Sequence, residues 1–207
     1  GEKWYNSSFD ATKDIQNEID KIAKLAKPNK DIYNHPIIKK LQANKEEIIK
    51  FDDNSISYIS KEEKINLLKS YFPSLKKSSK LKNWTAKYSD FRKIKEFYSS
   101  KGAKLKFDIQ RASFDFVMDF IDGEKSLNEN FEKTSTNFND LRNMNNELEK
   151  FILKCEDFVT NAESVESGEY TVIFSPYTTG VFAHESFGHK SESDFMVGSQ
   201  LSKETWK

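Results

Sequence analysis

Apolar residues recur at every third or fourth position in three stretches of the chain, and this spacing predicts amphipathic helices. Ser60 and Glu63 form a capping-box pair at the start of the second stretch. Its helix should begin at Lys61 and end near Pro73. Each helix also has a polar face, so we expect one side to lie on a core and the other to face solvent. The three stretches are residues 7–27, 61–73 and about 140–161.

Between Trp84 and Phe120 the apolar period changes to two, which predicts strands. Lys101-Gly102 and Asp122-Gly123 separate the alternating runs and have the composition of hairpin turns. The sheet should therefore be mostly antiparallel, with its apolar side chains on the core face and its charged side chains on a solvated face. The apolar members are Trp84, Ala86, Tyr88, Leu105, Phe107, Ile109, Phe114, Phe116, Met118 and Phe120.

A sheet that carries basic and aromatic residues together is one way to bind RNA. Because we assign these aromatic residues to the core face, packing is the preferred interpretation of them. The charge balance points the same way, since 33 Lys and Arg residues offset 33 Asp and Glu residues and the formal net charge is zero. Nothing in this balance favours nucleic acid or an anionic membrane as a partner.

The chain has neither an apolar run of the roughly 20 residues that span a bilayer nor a basic and then apolar leader. We therefore predict a soluble, cytoplasmic protein without a membrane partner. Cys155 is the one cysteine, which excludes an internal disulfide and fits a reducing compartment. It falls on the apolar stripe of the third predicted helix, so we expect a buried core thiol rather than a nucleophile or a metal ligand.

Together these elements predict the α+β class, with a mostly antiparallel sheet flanked by amphipathic helices. We divide the chain into residues 1–165, an α+β region, and residues 166–207, a second region. The alternating run "EYTVIF" at residues 169–174 predicts a short strand that Pro176 ends and that leads into a further helix. Either Thr178 or Thr179 is a candidate cap for this helix.

The further helix carries the string "HESFGH", in which His184 and His189 are five positions apart and Glu185 follows the first histidine. In the familiar zinc-peptidase helix the two histidines are four positions apart on one face. Five positions leave the two imidazoles about 140° apart on a regular helix. One hypothesis is therefore an ordinary helix with one buried and one exposed histidine. The other is a single wide turn, most easily made at Gly188, that brings both imidazoles to one metal ion.

Two carboxylates follow the second histidine. Glu192 and Asp194 are close enough in sequence to hold the imidazoles in place by hydrogen bonds, as the outer partners of metal-bound histidines do. The alternative is that both are solvated charges in a polar loop. They are therefore candidate supporting residues, separate from the three residues of the histidine and glutamate motif.

The segment "SPYTTGVFAHESFGHKSESDFMVG" resembles the HExxxH region of the TldD/PmbA family of metallopeptidases, on the TldD-like side that keeps the motif. The close resemblance runs from about Gly168 to Gly198. Weaker similarity extends upstream, where the two early helices, the meandering strands and the later helix come in the family's order. The resemblance implies an N-terminal and middle region that is truncated at its start and stops just after the motif.

Several roles follow from this resemblance alone. His184 and His189 match the family's zinc-binding histidines, and Glu185 matches the glutamate expected to act as general base. The family's third ligand is a cysteine well downstream of the motif, which Cys155 does not match, so we expect the fragment to be inactive by itself. Peptides or unfolded proteins would be the substrates, and a homodimer or a heterodimer with a related chain lacking the motif would be the assembly. A non-catalytic regulatory subunit of such a complex is the alternative function.

Overall fold

A computed structural model describes residues 5–10, 12–27, 29–192 and 204. The chain divides into two compact units, Gly1–Ala162 and Glu163–Lys207. Helices and a mostly antiparallel four-stranded sheet make up the first unit, so the predicted α+β class is confirmed. The assignment of residues 1–165 and 166–207 to two functional regions stays a prediction.

Five α-helices lie in the described part of the first unit, and each of the first three begins after a residue whose side chain accepts a hydrogen bond from a free backbone N–H of the first turn. Ser60 caps α3 as predicted, since its Oγ accepts a hydrogen bond from the N–H of Glu63 at 3.1 Å. None of the helices in the described residues has the length and apolar character that crossing a bilayer requires. The bounds are α1 Ile15–Leu25, α2 Pro36–Lys40, α3 Lys61–Lys69, α4 Phe72–Leu75 and α5 Asn145–Asn161.

Three of the predicted helix boundaries are wrong. The first helix begins at Ile15, later than the stretch from residue 7 predicts, because Asp14 caps it by accepting a hydrogen bond from the N–H of Gln16. The second helix ends at Lys69, because Pro73 lies in the first turn of α4, where a missing backbone N–H costs no hydrogen bond. The third begins at Asn145 rather than near residue 140, because Asn143 has a φ of 60° and interrupts the helix after a short 3₁₀ turn at Phe138–Leu141.

The sheet consists of β1 Lys45–Ile48, β2 Leu81–Tyr98, β3 Lys104–Asp122 and β4 Lys125–Ser135. Antiparallel hairpins join β2 to β3 and β3 to β4, with Gly102 at φ 94° and Gly123 at φ 60° in the predicted turns. On one edge of β3, β1 pairs in parallel as far as Phe107, and β4 pairs from Ala112 onward. The described residues between these two contacts, 108–111, have no strand partner on that edge.

The core lies between the sheet and α3, α4 and α5. Phe114, Phe116, Met118 and Phe120 are even-numbered residues of β3, and each is fully buried. The ring of Tyr71 lies 5.0 Å from that of Phe114, measured between centroids, and joins the helical layer to the sheet. From α5 the core receives Leu148, Ile152, Cys155 and Val159.

One part of β3 faces the other way from the prediction. Leu105, Phe107 and Ile109 are odd-numbered and lie half-buried on the outer face of the sheet, whereas Asp108 and Gln110 are buried on the inner face. Asp108 accepts hydrogen bonds from the N–H groups of residues 50 and 51, and Gln110 accepts one from the N–H of residue 56. These side chains bind the loop that follows β1, and this need for polar partners determines which face turns inward.

The second unit contains α6 Pro176–Ala183 and the turns that follow it. The strand predicted at residues 169–174 is wrong, because these residues belong to none of the strands in the described part of the chain. Tyr170 is 58% and Ile173 93% exposed. Alternation of apolar residues is a necessary feature of a half-buried strand, but a strand also needs a neighbour to pair with.

Candidate metal centre

The start of α6 is defined by Ser175. Its Oγ accepts a hydrogen bond from the N–H of Thr178 at 3.2 Å, and Pro176 occupies the first helical position. The predicted caps Thr178 and Thr179 instead lie inside the helix, where the hydroxyl of Thr179 donates to the carbonyl oxygen of Ser175 at 3.0 Å. The Ser-Pro pair is the sequence signal that identifies this cap.

The helix widens where the histidines lie. Residues His184–Gly188 form a turn of π-helix, and the N–H of His189 donates to the carbonyl oxygen of His184, five positions earlier. In a π turn the backbone hydrogen bond joins residues five positions apart. This wider turn brings the side chains of positions i and i+5 toward the same side of the helix. The wide turn predicted from the spacing is therefore present, and the hypothesis of a straight helix with divergent histidines is wrong.

This turn brings three side chains together. The imidazole centroids of His184 and His189 are 4.4 Å apart, and one ligand atom from each of His184, Glu185 and His189 lies within 4.8 Å of the others. Two nitrogen ligands of a tetrahedral zinc ion are about 3.3 Å apart, given Zn–N bonds of about 2.0–2.1 Å. His184 and Glu185 are exposed and His189 is half-buried, so the side chains have room for the remaining movement. The residues fit a zinc ion.

Glu192 supports the second histidine. Its Oε1 lies 2.7 Å from Nδ1 of His189, while Nε2 of His189 lies 3.6 Å from Oε2 of Glu185. A carboxylate on Nδ1 leaves Nε2 as the nitrogen available to a metal and fixes the orientation of the ring. Asp194, the other predicted supporting carboxylate, lies outside the described residues.

Gly188 leaves room for the first histidine. A Cβ atom at this position would lie 3.4 Å from Nδ1 and 3.7 Å from Cγ of His184. The φ of Gly188 is −58°, which any residue adopts, so the wide turn does not need the conformational freedom of glycine that we predicted. The position instead requires a small residue, because a larger side chain would meet the His184 ring.

Two further side chains that can bind a metal, those of Cys155 and His35, have different surroundings. Cys155 is 5% exposed in the core of the first unit, where burial and the nearby charge of Glu129 raise the pKa of its thiol to about 11. It is the buried core thiol that the apolar stripe predicts. His35 is exposed and caps α2, where its Nδ1 accepts a hydrogen bond from the N–H of Ile37 at 3.3 Å.

Comparison with known proteins gives one informative similarity. The chain is 29% identical over 129 residues to the zinc metalloprotease TldD homolog of Saccharolobus solfataricus. The matched stretch covers 59% of this chain and 28% of the length of that protein. No protein-family model and no solved structure matches the chain. The sequence thus resembles a TldD-type protein at low identity, and the chain corresponds to little more than a quarter of that relative.

Proposed function

We propose that this chain carries the zinc-binding segment of a TldD-type metalloprotease, and that the whole protein hydrolyses peptide bonds in peptides or unfolded proteins. The observation that carries the proposal is the π turn that brings two imidazoles and a carboxylate together in a HExxxH segment. The similarity to a zinc metalloprotease homologue supports it independently, because that similarity extends over more than half of the chain.

In this proposal His184 and His189 hold the zinc, and Glu192 orients His189 through its Nδ1. A zinc ion held there would act as a Lewis acid, which would lower the pKa of a water molecule and polarise the carbonyl group of the scissile bond. Glu185, adjacent to both imidazoles, accepts the proton of the attacking water and later donates it to the leaving amine. The family resemblance supports a third ligand from a cysteine of the whole protein, because a catalytic zinc takes three protein ligands.

The same resemblance supports an assembly for the whole protein. We propose a dimer, either of two identical chains or with a related chain that lacks the motif. The cytoplasmic location stays a prediction.

The test measures zinc content and peptide cleavage in the whole protein. Glu185→Gln should keep the metal and lose cleavage by about 100-fold or more, because general acid–base catalysis contributes on the order of 10²–10⁴-fold. His184→Ala combined with His189→Ala should lose both metal and cleavage. Undiminished cleavage in Glu185→Gln would exclude its role as the base.

The charge-matched control is Glu169→Gln, an exposed glutamate of the same unit that lies outside the motif, and it should keep both metal and activity. If the wild-type protein binds zinc through these histidines but cleaves no peptide, the regulatory alternative replaces the peptidase. If the double histidine variant retains stoichiometric zinc, the metal site lies elsewhere in the protein.

A further inference from the structure

The outer face of the sheet carries a patch in which apolar and cationic side chains alternate. We define the outer patch as the odd-numbered residues of 91–97 on β2 and of 105–111 on β3, all of which point away from the core. Within the patch, each residue of β2 lies directly opposite a residue of β3 that also belongs to the patch. The pairs are Phe97 with Leu105, Lys95 with Phe107, Lys93 with Ile109, and Phe91 with Arg111.

The cations of the outer patch are exposed. Within the described residues, Lys93, Lys95 and Arg111 form no ion pair, whereas other cations of the same strands do. Cations at the same end of the opposite face are paired, since Arg92 contacts Asp108 at 3.0 Å and Lys106 contacts Glu47 at 2.7 Å. The outer patch itself contains no acidic residue, so its positive charge is not neutralised within it.

Two of the apolar members, both on β2, are also open to solvent. Phe91 is 39% and Phe97 52% exposed, and Nζ of Lys93 lies 5.1 Å from the centroid of the Phe91 ring. Aromatic rings exposed beside cations are typical of interaction surfaces rather than of ordinary solvated sheet faces. The outer patch therefore combines the two kinds of contact that recognition of a charged partner uses.

A cavity adjoins the outer patch. It has a volume of about 430 Å³, and Ile48, Phe51, Phe107 and Ile109 are among the residues that line it. It lies in the gap between β1 and β4 along one edge of β3. In the described structure, residues 108–111 of β3 have no strand partner on this edge. The rest of its lining is polar, from Lys50, Asp108, Gln110 and Thr136, so it can receive an apolar side chain together with polar backbone groups beside it.

We propose that the outer patch and its cavity bind an extended peptide segment that carries acidic and apolar side chains. Lys93, Lys95 and Arg111 would contact its carboxylates, and the cavity would receive one apolar side chain. Six residues separate Phe91 from Phe97, which corresponds to about 20 Å of strand, so the surface accommodates a segment of about six residues. This binding involves only the first unit and does not require the proposed zinc chemistry.

Charge decides between this partner and two others. A long nucleic acid strand would also meet Asp115, two positions beyond Arg111 on the same face, and Glu46, which pairs with Leu105. The zero net charge of the chain provides no general attraction for such a polyanion. A symmetric contact with a second copy would place the cations of two patches against each other. A short acidic segment can keep its carboxylates over Lys93 and Lys95 on β2, which lies on the other side of β3 from Glu46, and can end before Asp115.

The experiment is a fluorescence-anisotropy titration of the 207-residue chain against a labelled octapeptide in which pairs of Glu alternate with pairs of Leu or Phe, so that each face of the extended peptide carries both kinds of side chain. Lys93→Glu combined with Lys95→Glu should raise the Kd at least 10-fold, because both contacts become repulsive. Replacing Glu by Gln in the peptide should weaken binding to the wild-type chain in the same way. The matched control, Lys39→Glu with Lys40→Glu, makes the same change in net charge on the exposed side of α2 and should leave the Kd within about twofold.

The result that overturns the proposal is equal peptide affinity in the wild-type chain and in the outer-patch variant. Absence of peptide binding to the wild-type chain also overturns it. Binding of labelled oligothymidylate that is lost in the outer-patch variant, without binding of the acidic peptide, would assign the surface to nucleic acid instead. Circular dichroism of each variant separates a lost contact from a lost fold.

Discussion

In the candidate metal centre the imidazole of His184 lies beside Gly188. The space between them limits the size of the side chain that position 188 can carry. A Cβ atom at Gly188 would lie at ordinary contact distance from the ring, so alanine should be tolerated and a branched side chain should not. The glycine thus contributes to the site by leaving space rather than by supplying a ligand.

Gly188→Val should lower the zinc affinity of the whole protein by about 10-fold or more, because its methyl groups would displace the His184 ring from its place beside His189. The matched control is Gly180→Val, since a Cβ atom at Gly180 would meet nothing within 4 Å and the cost of a β-branched residue in a helix is the same. Competition with a metal chelator measures both affinities. Equal affinities would show that the His184 ring does not need this space.

Cys155 is a residue whose surroundings suppress its chemistry. Its thiol has a pKa of about 11, raised from 9.0 chiefly by burial, so the thiolate fraction at pH 8 is lower by about 100-fold than in the unfolded chain. Iodoacetamide should therefore alkylate Cys155 at least 100-fold more slowly in the folded protein than in 8 M urea, as followed by mass spectrometry. Similar rates in the two states would place the thiol at the surface.

At the scale of elements, Asp108 ties the loop after β1 to the central strand. Burial by itself raises the pKa of this carboxyl, but the N–H of Lys50, the guanidinium of Arg92 and the N–H of Phe51 outweigh burial and hold the pKa below its ordinary value. A carboxyl with a lowered folded-state pKa stabilises the fold above its unfolded pKa, about 3.9, and this stabilisation is lost as the pH falls through the folded pKa.

Asp108→Asn should lower the melting temperature at pH 7 by about 5 °C or more, because the charge-assisted hydrogen bonds weaken and Arg92 loses a buried partner. The same variant should lose less further stability than the wild type between pH 4 and pH 2. Asp115→Asn, on the outer face of the same strand, is the control and should keep the acid dependence of the wild type. Identical pH profiles for Asp108→Asn and the wild type would remove Asp108 from the acid response.

The alternation of apolar residues predicted the positions of the strands better than it predicted which face of each strand turns toward the core. The Gly102 and Gly123 turns and the runs from Trp84 to Tyr88 and from Phe114 to Phe120 have the predicted form, because a hairpin turn and its flanking residues are neighbours in sequence. The orientation of residues 105–110 depends on a loop some fifty residues away, which supplies the N–H groups that Asp108 and Gln110 bind. No local pattern contains that information.

At the scale of the whole molecule, every residue of the described core belongs to the first unit, Gly1–Ala162. Residues 1–162 should therefore fold without the rest of the chain, with a melting temperature within about 3 °C of the 207-residue chain. Thermal unfolding by circular dichroism measures both. Failure of the shorter chain to unfold cooperatively would show that the second unit contributes to the core.

A substitution in the core gives a second comparison of residues 1–162 with the 207-residue chain. Phe116 is fully buried and its ring lies 5.3 Å from that of Phe114, so Phe116→Ala should destabilise both chains by about 3–5 kcal/mol. A similar loss in the two lengths of chain supports one core that is complete in the first unit. A much larger loss in the shorter chain would contradict it.

By itself the sequence determined the α+β class and the hairpins, because each depends on residues that are close along the chain. The five-residue spacing of the histidines left two hypotheses, a regular helix with imidazoles about 140° apart or a wide turn, and the structure decided for the turn. Only the tertiary structure decided that Phe107 and Ile109 face outward and that residues 169–174 form no strand. A face and a strand depend on what packs or pairs across space, and those partners come from distant parts of the chain.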